Sequence, residues 1–319
     1  MRESTVHFER SRVVSARPER VWSLLASPAV WSLRPGASFA FDVPWSVPGE
    51  GRLWLYFDTT SNGDGGLRTG ILEISDEAPG QLLQLRTRST HPLNRATYTL
   101  RVLPGPQGAT VSIAVAQVVP RAAKVLYQPE TRKAITGWLH ALTAVLEEQW
   151  PWPGLAMPID VRQACSARQR LRAPEAISVT AQIRAPAPAV WEALWTPENA
   201  RLVNAQYVDY AARVPGTPER QLGAMTYFLH RHADGRIAAG VYVVREFADR
   251  QSALLSYVGP PHAETTYLLA PTEEGTRLEL TIRMRHRHLT ALARHGHPVG
   301  EQLQATANGL KTFVEEPVT

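Results

Sequence analysis

Four histidines, His286, His288, His295 and His297, fall within one short run, RHRHLTALARHGHP. Two rings separated by one residue on a strand point to the same side, so an H-x-H pair could exchange protons with a ligand, and two such pairs could supply nitrogens to a metal. No carboxylate or cysteine stands among them at a familiar ligand spacing, so no metal is expected. Acid–base chemistry at a cavity mouth competes with a solvated or capping role for these rings. The other candidates are spread through strand-like runs. In LRTGILEI, placing Glu73 outward puts Arg68, Gly70, Leu72 and Ile74 on the opposite face; ATYTLRVL presents Tyr98 with Leu100 and Val102; TVSIAVAQV aligns Gln117 with Val111, Ile113 and Val115. A guanidinium, a phenol and a carboxamide on one inward face could donate hydrogen bonds to a carbonyl or enolate oxygen.

The elements that must position these residues are written twice. ERVWSLLASP at 19–28 returns as PAVWEALWTP at 188–197, GILEISDEAPGQLLQL at 70–85 lies over GVYVVREFADRQSALL at 240–255, and ATYTL at 96–100 lies over TTYLL at 265–269. Spacing kept through several elements marks a duplicated domain. Each copy reads as a strand, a short helix opened by proline, a meander of short strands broken by turn clusters, and a long final helix. In the first copy that helix carries Ile135, Trp138, Leu142, Val145 and Leu146 at helical spacing, and WPWPG stops it. The expected division is 1–150 for the first domain, 151–174 for a basic linker and 175–319 for the second domain.

Lined up by sequence, the second copy puts Ala238 in place of Arg68, Tyr242 in place of Leu72, Tyr257 in place of Thr87 and Tyr267 in place of Tyr98. Its last strand, TRLELTIRMRHRH, turns Leu278, Leu280, Ile282 and Met284 inward, and the same parity carries His286 and His288 to the cavity mouth. Each tyrosine has an alternative as a core residue whose hydroxyl reaches backbone or water. The two pockets are expected to differ.

Composition bounds the function. Of 34 basic residues only Lys124, Lys133 and Lys311 are lysine, which reads as a coding bias, and no basic run with interleaved aromatics suggests a nucleic-acid groove. The formal charge of +5 leaves room for an acidic protein partner. The lone Cys165 excludes an intramolecular disulfide. Neither a secretory leader nor a membrane span is expected, which points to a cytoplasmic protein.

The order strand, short helix, meander, long helix, with the opening APxxVWxxLxxP, resembles the START-like helix-grip (SRPBCC) superfamily. Two copies in one chain are most similar to the didomain polyketide aromatase/cyclases. The resemblance implies an α+β fold of two tandem helix-grip domains, each a curved antiparallel sheet wrapped around a long C-terminal helix with an internal cavity. It implies aldol-type cyclisation and dehydration of a poly-ketone chain, an acyl carrier protein as a partner, and no cofactor. Arg68 and Tyr98 would match the family's pocket arginine and hydroxyl donor, with Tyr257, Tyr267 and His286 as substitutes in the second copy. Trp54, Tyr56, Gln117, Tyr227, Tyr242 and His288 would contact substrate. A non-catalytic carrier of lipids or other apolar ligands is the alternative, and an interaction module with a filled core is a third class; convergent polar groups in the cavity separate the first from both.

Overall fold

The computed structural model describes residues 3–36, 38–45, 51–59, 67–88, 95–154, 156–158, 161–163, 171, 174–231, 237–258, 262–294 and 298–316. The first half opens with β1 (Glu3–Val14) and α1 (Pro18–Leu25). Pro18 fits the first helical turn, and Arg17 before it is extended (φ −62°, ψ 146°), as the residue preceding proline should be. A 3-10 turn, Pro28–Leu33, follows, its first turn capped by the Ser27 hydroxyl, which accepts from the Ala29 N–H at 3.3 Å. Then come β2 (Ser38–Val43), β3 (Leu53–Thr59), β4 (Leu67–Ala78), β5 (Leu82–Arg88), β6 (Arg95–Gly105), β7 (Gly108–Pro120) and the long α2 (Lys124–Leu146). The strands form one sheet in the order β1-β7-β6-β5-β4-β3-β2, each neighbour antiparallel. β2 pairs with β3 and forms the outer edge of the sheet.

The second half repeats this with β8 (Pro174–Ile183), α3 (Ala187–Trp195), α4 (Ala200–Val203), β9 (Tyr210–Arg213), β10 (Met225–Arg231), β11 (Ile237–Ala248), β12 (Ser252–Tyr257), β13 (Ala263–Thr272), β14 (Gly275–Arg285), α5 (His286–Arg294) and α6 (Val299–Glu315). Its sheet runs β8-β14-β13-β12-β11-β10-β9, the same topology. Even the irregularities recur: the register slips between Ile74 and Asp76 in one sheet and between Val244 and Glu246 in the other. The architecture is α+β, and each half has its own apolar core. In the first, Trp138 of α2 is 1% exposed and donates Nε1–H to the Val30 carbonyl at 2.9 Å, pinning the helix to the 3-10 turn.

One expectation about strand faces holds in part and one is corrected. Glu73 lies on the face opposite Leu72 and Ile74, as expected, but is buried there. The last strand stops at Arg285, and His286 begins a helix that buries Leu289, so a helical period replaces the two-residue alternation and carries both histidines away from the strand face. His295, His297 and Cys165, like most of the expected linker, lie outside the described residues. Among the described residues, no helix is long and apolar enough to cross a membrane, and no cluster of three metal-ligating side chains occurs.

Candidate functional site

The first domain holds a cavity of about 150 Å³ between its sheet and α2. Its centre is a residue the strand parity could not reach: Arg34, at the end of the 3-10 turn, where its backbone N–H closes the turn on the Trp31 carbonyl at 3.1 Å. The Arg34 Nη1 donates to Asp58 Oδ2 at 2.6 Å, and the Trp31 Nε1–H donates to Asp58 Oδ1 at 2.8 Å, so both carboxylate oxygens are occupied. The guanidinium lies 4.0 Å from the Trp31 ring centroid and 5.5 Å from that of Tyr98. Cation–π attraction thus adds to the ion pair. Side-chain exposures of 18% for Arg34 and 21% for Asp58 mean that the pair is largely desolvated.

Trp31 meets Tyr56, Tyr98 and Trp138 at centroid separations of 5.4, 5.3 and 5.6 Å, the last two edge-on. The Tyr56 ring lies over Gly70, where an added Cβ would sit 2.7 Å from its hydroxyl. Burial raises the Tyr56 phenol well above its ordinary range, Asp58 and Tyr98 add to this, and Arg34 and Arg68 work against it. Burial also raises Tyr98, opposed by Arg34. Burial works against the charge of Arg34 as well, but Asp58 together with Tyr98 and Tyr56 more than offsets it and the guanidinium is held charged. The cavity therefore presents one fixed cation and two neutral phenols, all donors.

Of the residues expected here, Tyr56, Arg68, Tyr98 and Gln117 line the cavity. Arg68 stands across from Asp58 in the β3–β4 register but is exposed, at the rim. Gln117 Oε1 accepts from the Thr131 hydroxyl at 3.3 Å. Trp54 is not in the cavity; it is fully buried in the apolar core. Asp58 was legible, because it shares parity with Tyr56, two residues away. Arg34, on a turn, had no periodic signal.

The second domain holds a larger cavity, about 280 Å³. Backbone bonds fix its equivalences to the first. Val102 N–H reaches Gln81 O and Leu269 N–H reaches Gln251 O, each at 2.8 Å, and the hairpins close at Gly105–Gly108 and Thr272–Gly275. Counting back from either anchor, Tyr98 falls on Thr265 and Leu100 on Tyr267. Both Tyr98 and Thr265 face the matching residue of the next strand, Val115 and Ile282. The pairing of Tyr98 with Tyr267 read from sequence is thus corrected. On β3 and β10, Ile74 N–H bonds Arg52 O and Val244 N–H bonds Ala224 O, each at 2.9 Å, which sets Tyr56 over Phe228 and Asp58 over His230. The glycines agree: a Cβ on Gly240 would meet the Phe228 ring at 2.1 Å, as one on Gly70 would meet Tyr56. Tyr227 is the equivalent of core Leu55; it is 1% exposed and hydrogen-bonded to Tyr210, while its neighbour Phe228 lines the cavity. At the spacing of the opening helices, Trp31 and Arg34 fall on Ala200 and Val203, both cavity residues. The cation, its carboxylate and the indole between them are all replaced.

Tyr242 and Tyr267 line this second cavity; Tyr257 stands behind, its ring 5.4 Å from that of Tyr242 and edge-on to it. Burial raises Tyr242 above its ordinary range and pushes Tyr257 and Tyr267 up to about 12. The sign of the stability effect follows. Below pH 10 both chain states keep these phenols neutral and stability is full; as pH climbs to about 12 the unfolded chain ionises first and stability falls. Each phenol contributes a slope of up to about 1.4 kcal/mol per pH unit in that window. Urea unfolding at pH 9 and 11 should show this loss, and the pair of substitutions Tyr257→Phe and Tyr267→Phe should flatten it.

His286 and His288 do not line either cavity. His286 is exposed, its Nδ1 2.8 Å from Glu175 Oε1 and its Nε2 3.3 Å from the Thr290 hydroxyl. His288 is half-buried and held below its ordinary range by burial, with Arg287, Arg285 and His262 adding to the effect. His230, at the position of Asp58, places Nδ1 3.2 Å from Asp209 Oδ2.

A family model described as polyketide cyclase/dehydrase and lipid transport matches residues 5–147, from β1 to the end of α2. The match spans the first domain. The second domain repeats the topology of the first. No curated protein sequence matches the chain. Among solved structures, the chain is similar to the di-domain ARO/CYC BexL from the BE-7585A biosynthetic pathway, at 16% identity and a TM-score of 0.37, over 100% of both chains. It is similar to the di-domain ARO/CYC StfQ from the steffimycin pathway at 12% identity and a TM-score of 0.35, over 97% of this chain and 98% of that one. A protein from Chromobacterium violaceum is similar at 16% identity and a TM-score of 0.37, covering 44% of this chain and 99% of its own.

Proposed function

We propose that the first domain is a polyketide cyclase-like catalyst that takes the reactive end of a poly-ketone chain into its cavity and promotes aldol closure and loss of water. The observation that carries this reading is the convergence of Arg34, Tyr98 and Tyr56 on one small, partly dry space. A carrier needs no such constellation. A ketone oxygen seated against the guanidinium and the Tyr98 hydroxyl is polarised by donors already fixed in place, so stabilisation of the developing oxyanion requires no reorganisation. Solvent water at the cavity mouth takes a proton from a methylene flanked by two carbonyls, the carbon bonds to the polarised carbonyl carbon as its C=O π electrons move onto oxygen, and a neutral phenol gives its proton to the resulting alkoxide and recovers one from the protonated water. The re-protonated phenol then assists departure of that oxygen as water while the second methylene proton passes to solvent. Asp58 is a positioning residue, since both its oxygens are spent on Arg34 and Trp31. At about 150 Å³ the cavity suits the ring-forming end of a chain and not its whole length.

This reading takes 1–150 and 175–319 as the functional domains with 151–174 between them, and an acidic acyl carrier protein as the source of the chain. The net formal charge of +5 supports the partner by long-range attraction, which salt should weaken. The test is a product profile with a poly-ketone made in situ by its synthase. Wild type should enrich one ring-closed, dehydrated product. Loss of a fixed oxyanion donor costs on the order of 100- to 1,000-fold in rate, so Arg34→Met should bring the profile to the spontaneous mixture, with Arg34→Lys between. A wild-type profile equal to the spontaneous one, with the chain bound but unchanged, would establish the carrier reading instead.

A further inference from the structure

The second cavity has lost every charge that organises the first. Ala200, Val203 and Ala238 stand in the places of Trp31, Arg34 and Arg68, and Phe228 replaces the Tyr56 phenol. The charged residues on its wall are Arg213 and Arg220, and both are engaged by glutamates: Arg213 with Glu219 at 2.7 Å, and Arg220 through two bonds of 2.6 Å to Glu192. Yet the interior is not simply greasy. Thr265, at the position of Tyr98, is 5% exposed, lines the cavity, and its Oγ1 is buried with no hydrogen-bond partner. Asn204, directly after α4, also lines the cavity and buries an unpartnered Oδ1. A buried polar atom left unpaired costs free energy comparable to a lost hydrogen bond, so two on one apolar cavity wall point to a ligand that completes them.

We propose that the second cavity is a receptor for an uncharged, flat, hydroxylated aromatic molecule, bound through Thr265 and Asn204. The class follows from the walls. An amide oxygen accepts only, so the ligand must bring a donor to Asn204, which a phenolic O–H supplies, and the threonine hydroxyl can donate to a second ligand oxygen or accept from its O–H. Trp195, Phe228 and Tyr242 offer aromatic faces to a flat ring. A carboxylate or phosphate would meet only arginines already neutralised by glutamates, and the cost of its desolvation disfavours it. At about 280 Å³ the space is near the lower end of small-ligand pockets, roughly 300–1,000 Å³, which suits one or two fused rings. The site is independent of the chemistry assigned to the first cavity, although a hydroxylated aromatic is also what ring closure and dehydration there would yield.

The test is binding of three probes to the full chain by calorimetry: 2-naphthol, naphthalene and 2-naphthoate. Binding should be detectable for 2-naphthol, weaker by about tenfold for naphthalene, and absent for 2-naphthoate. Thr265→Val, which keeps shape and removes the oxygen, should weaken 2-naphthol about tenfold and leave naphthalene unchanged or tighter; Thr265→Ser should retain most of the affinity. Arg34→Met should leave 2-naphthol binding as it is, because that residue lines the other cavity. Equal affinity for 2-naphthoate, no binding of 2-naphthol, or a loss in Arg34→Met without one in Thr265→Val would each overturn the proposal. None of these outcomes depends on product formation, so the catalytic reading stands or falls separately.

Discussion

Replacing Asp58 with Ala is expected to cost about 3 kcal/mol of stability, the range for breaking a largely desolvated ion pair by removing one partner. The magnitude rests on what is left behind. Arg34 would keep its charge at 18% side-chain exposure with no carboxylate, and the Trp31 Nε1–H would lose its acceptor as well. Arg34→Met alone should cost a similar amount, since Asp58 would then be the stranded charge. The double substitution Asp58→Ala with Arg34→Met should cost less than the two single losses added together, because no uncompensated charge remains. Chemical denaturation of the four proteins measures this coupling. Additive losses would mean that the two residues act independently, and the cavity would lose its fixed donor as an explanation of activity.

Gly309→Ala is expected to destabilise the second domain by about 2 kcal/mol even though alanine favours helix over glycine by about 1 kcal/mol. Steric overlap wins. A Cβ at Gly309 would lie 1.9 Å from the Val203 carbonyl oxygen and 2.8 Å from its carbon, and these are backbone atoms that cannot rotate away. Overpacking of this kind costs up to about 3 kcal/mol. The strain would be relieved by pushing α4 and its neighbours, which supply Ala200, Val203 and Asn204 to the cavity, so 2-naphthol affinity should fall together with the thermal midpoint. An unchanged midpoint would mean that α6 and α4 are separated by more than the contact at Gly309 implies.

Much of the frame was legible before any coordinates. Proline at the start of α1, alternating apolar residues in each strand and the turn clusters between them specify elements locally, and repetition of the same spacing specifies two domains. Parity alone put Tyr98 and Gln117 on the cavity face, because a strand's two-residue period survives wherever the strand is regular. Parity failed where its premise failed. At His286 the backbone has become helical, and a helix distributes side chains every hundred degrees or so around its axis; at Trp54 the inward face holds core, not cavity.

What sequence determined by itself is the kind and order of elements and the chemistry each carries, since propensity and periodicity act within a few residues of chain. Which residues correspond and which converge depends on packing between elements distant along the chain. TYTL and TYLL look alike, yet interstrand hydrogen bonds and hairpin closures align Tyr98 with Thr265. The sequence-similar pair Tyr56 and Tyr227 separates in the same way, one in a cavity and one in a core. Loops that differ by two or three residues between the copies change the numbering offset from strand to strand while the interstrand register is kept, so an offset read in one strand fails in the next. Arg34 meets Asp58 for a related reason: a turn and a strand distant along the chain are brought to 2.6 Å by packing of Trp31 and Trp138, contacts that no local pattern encodes.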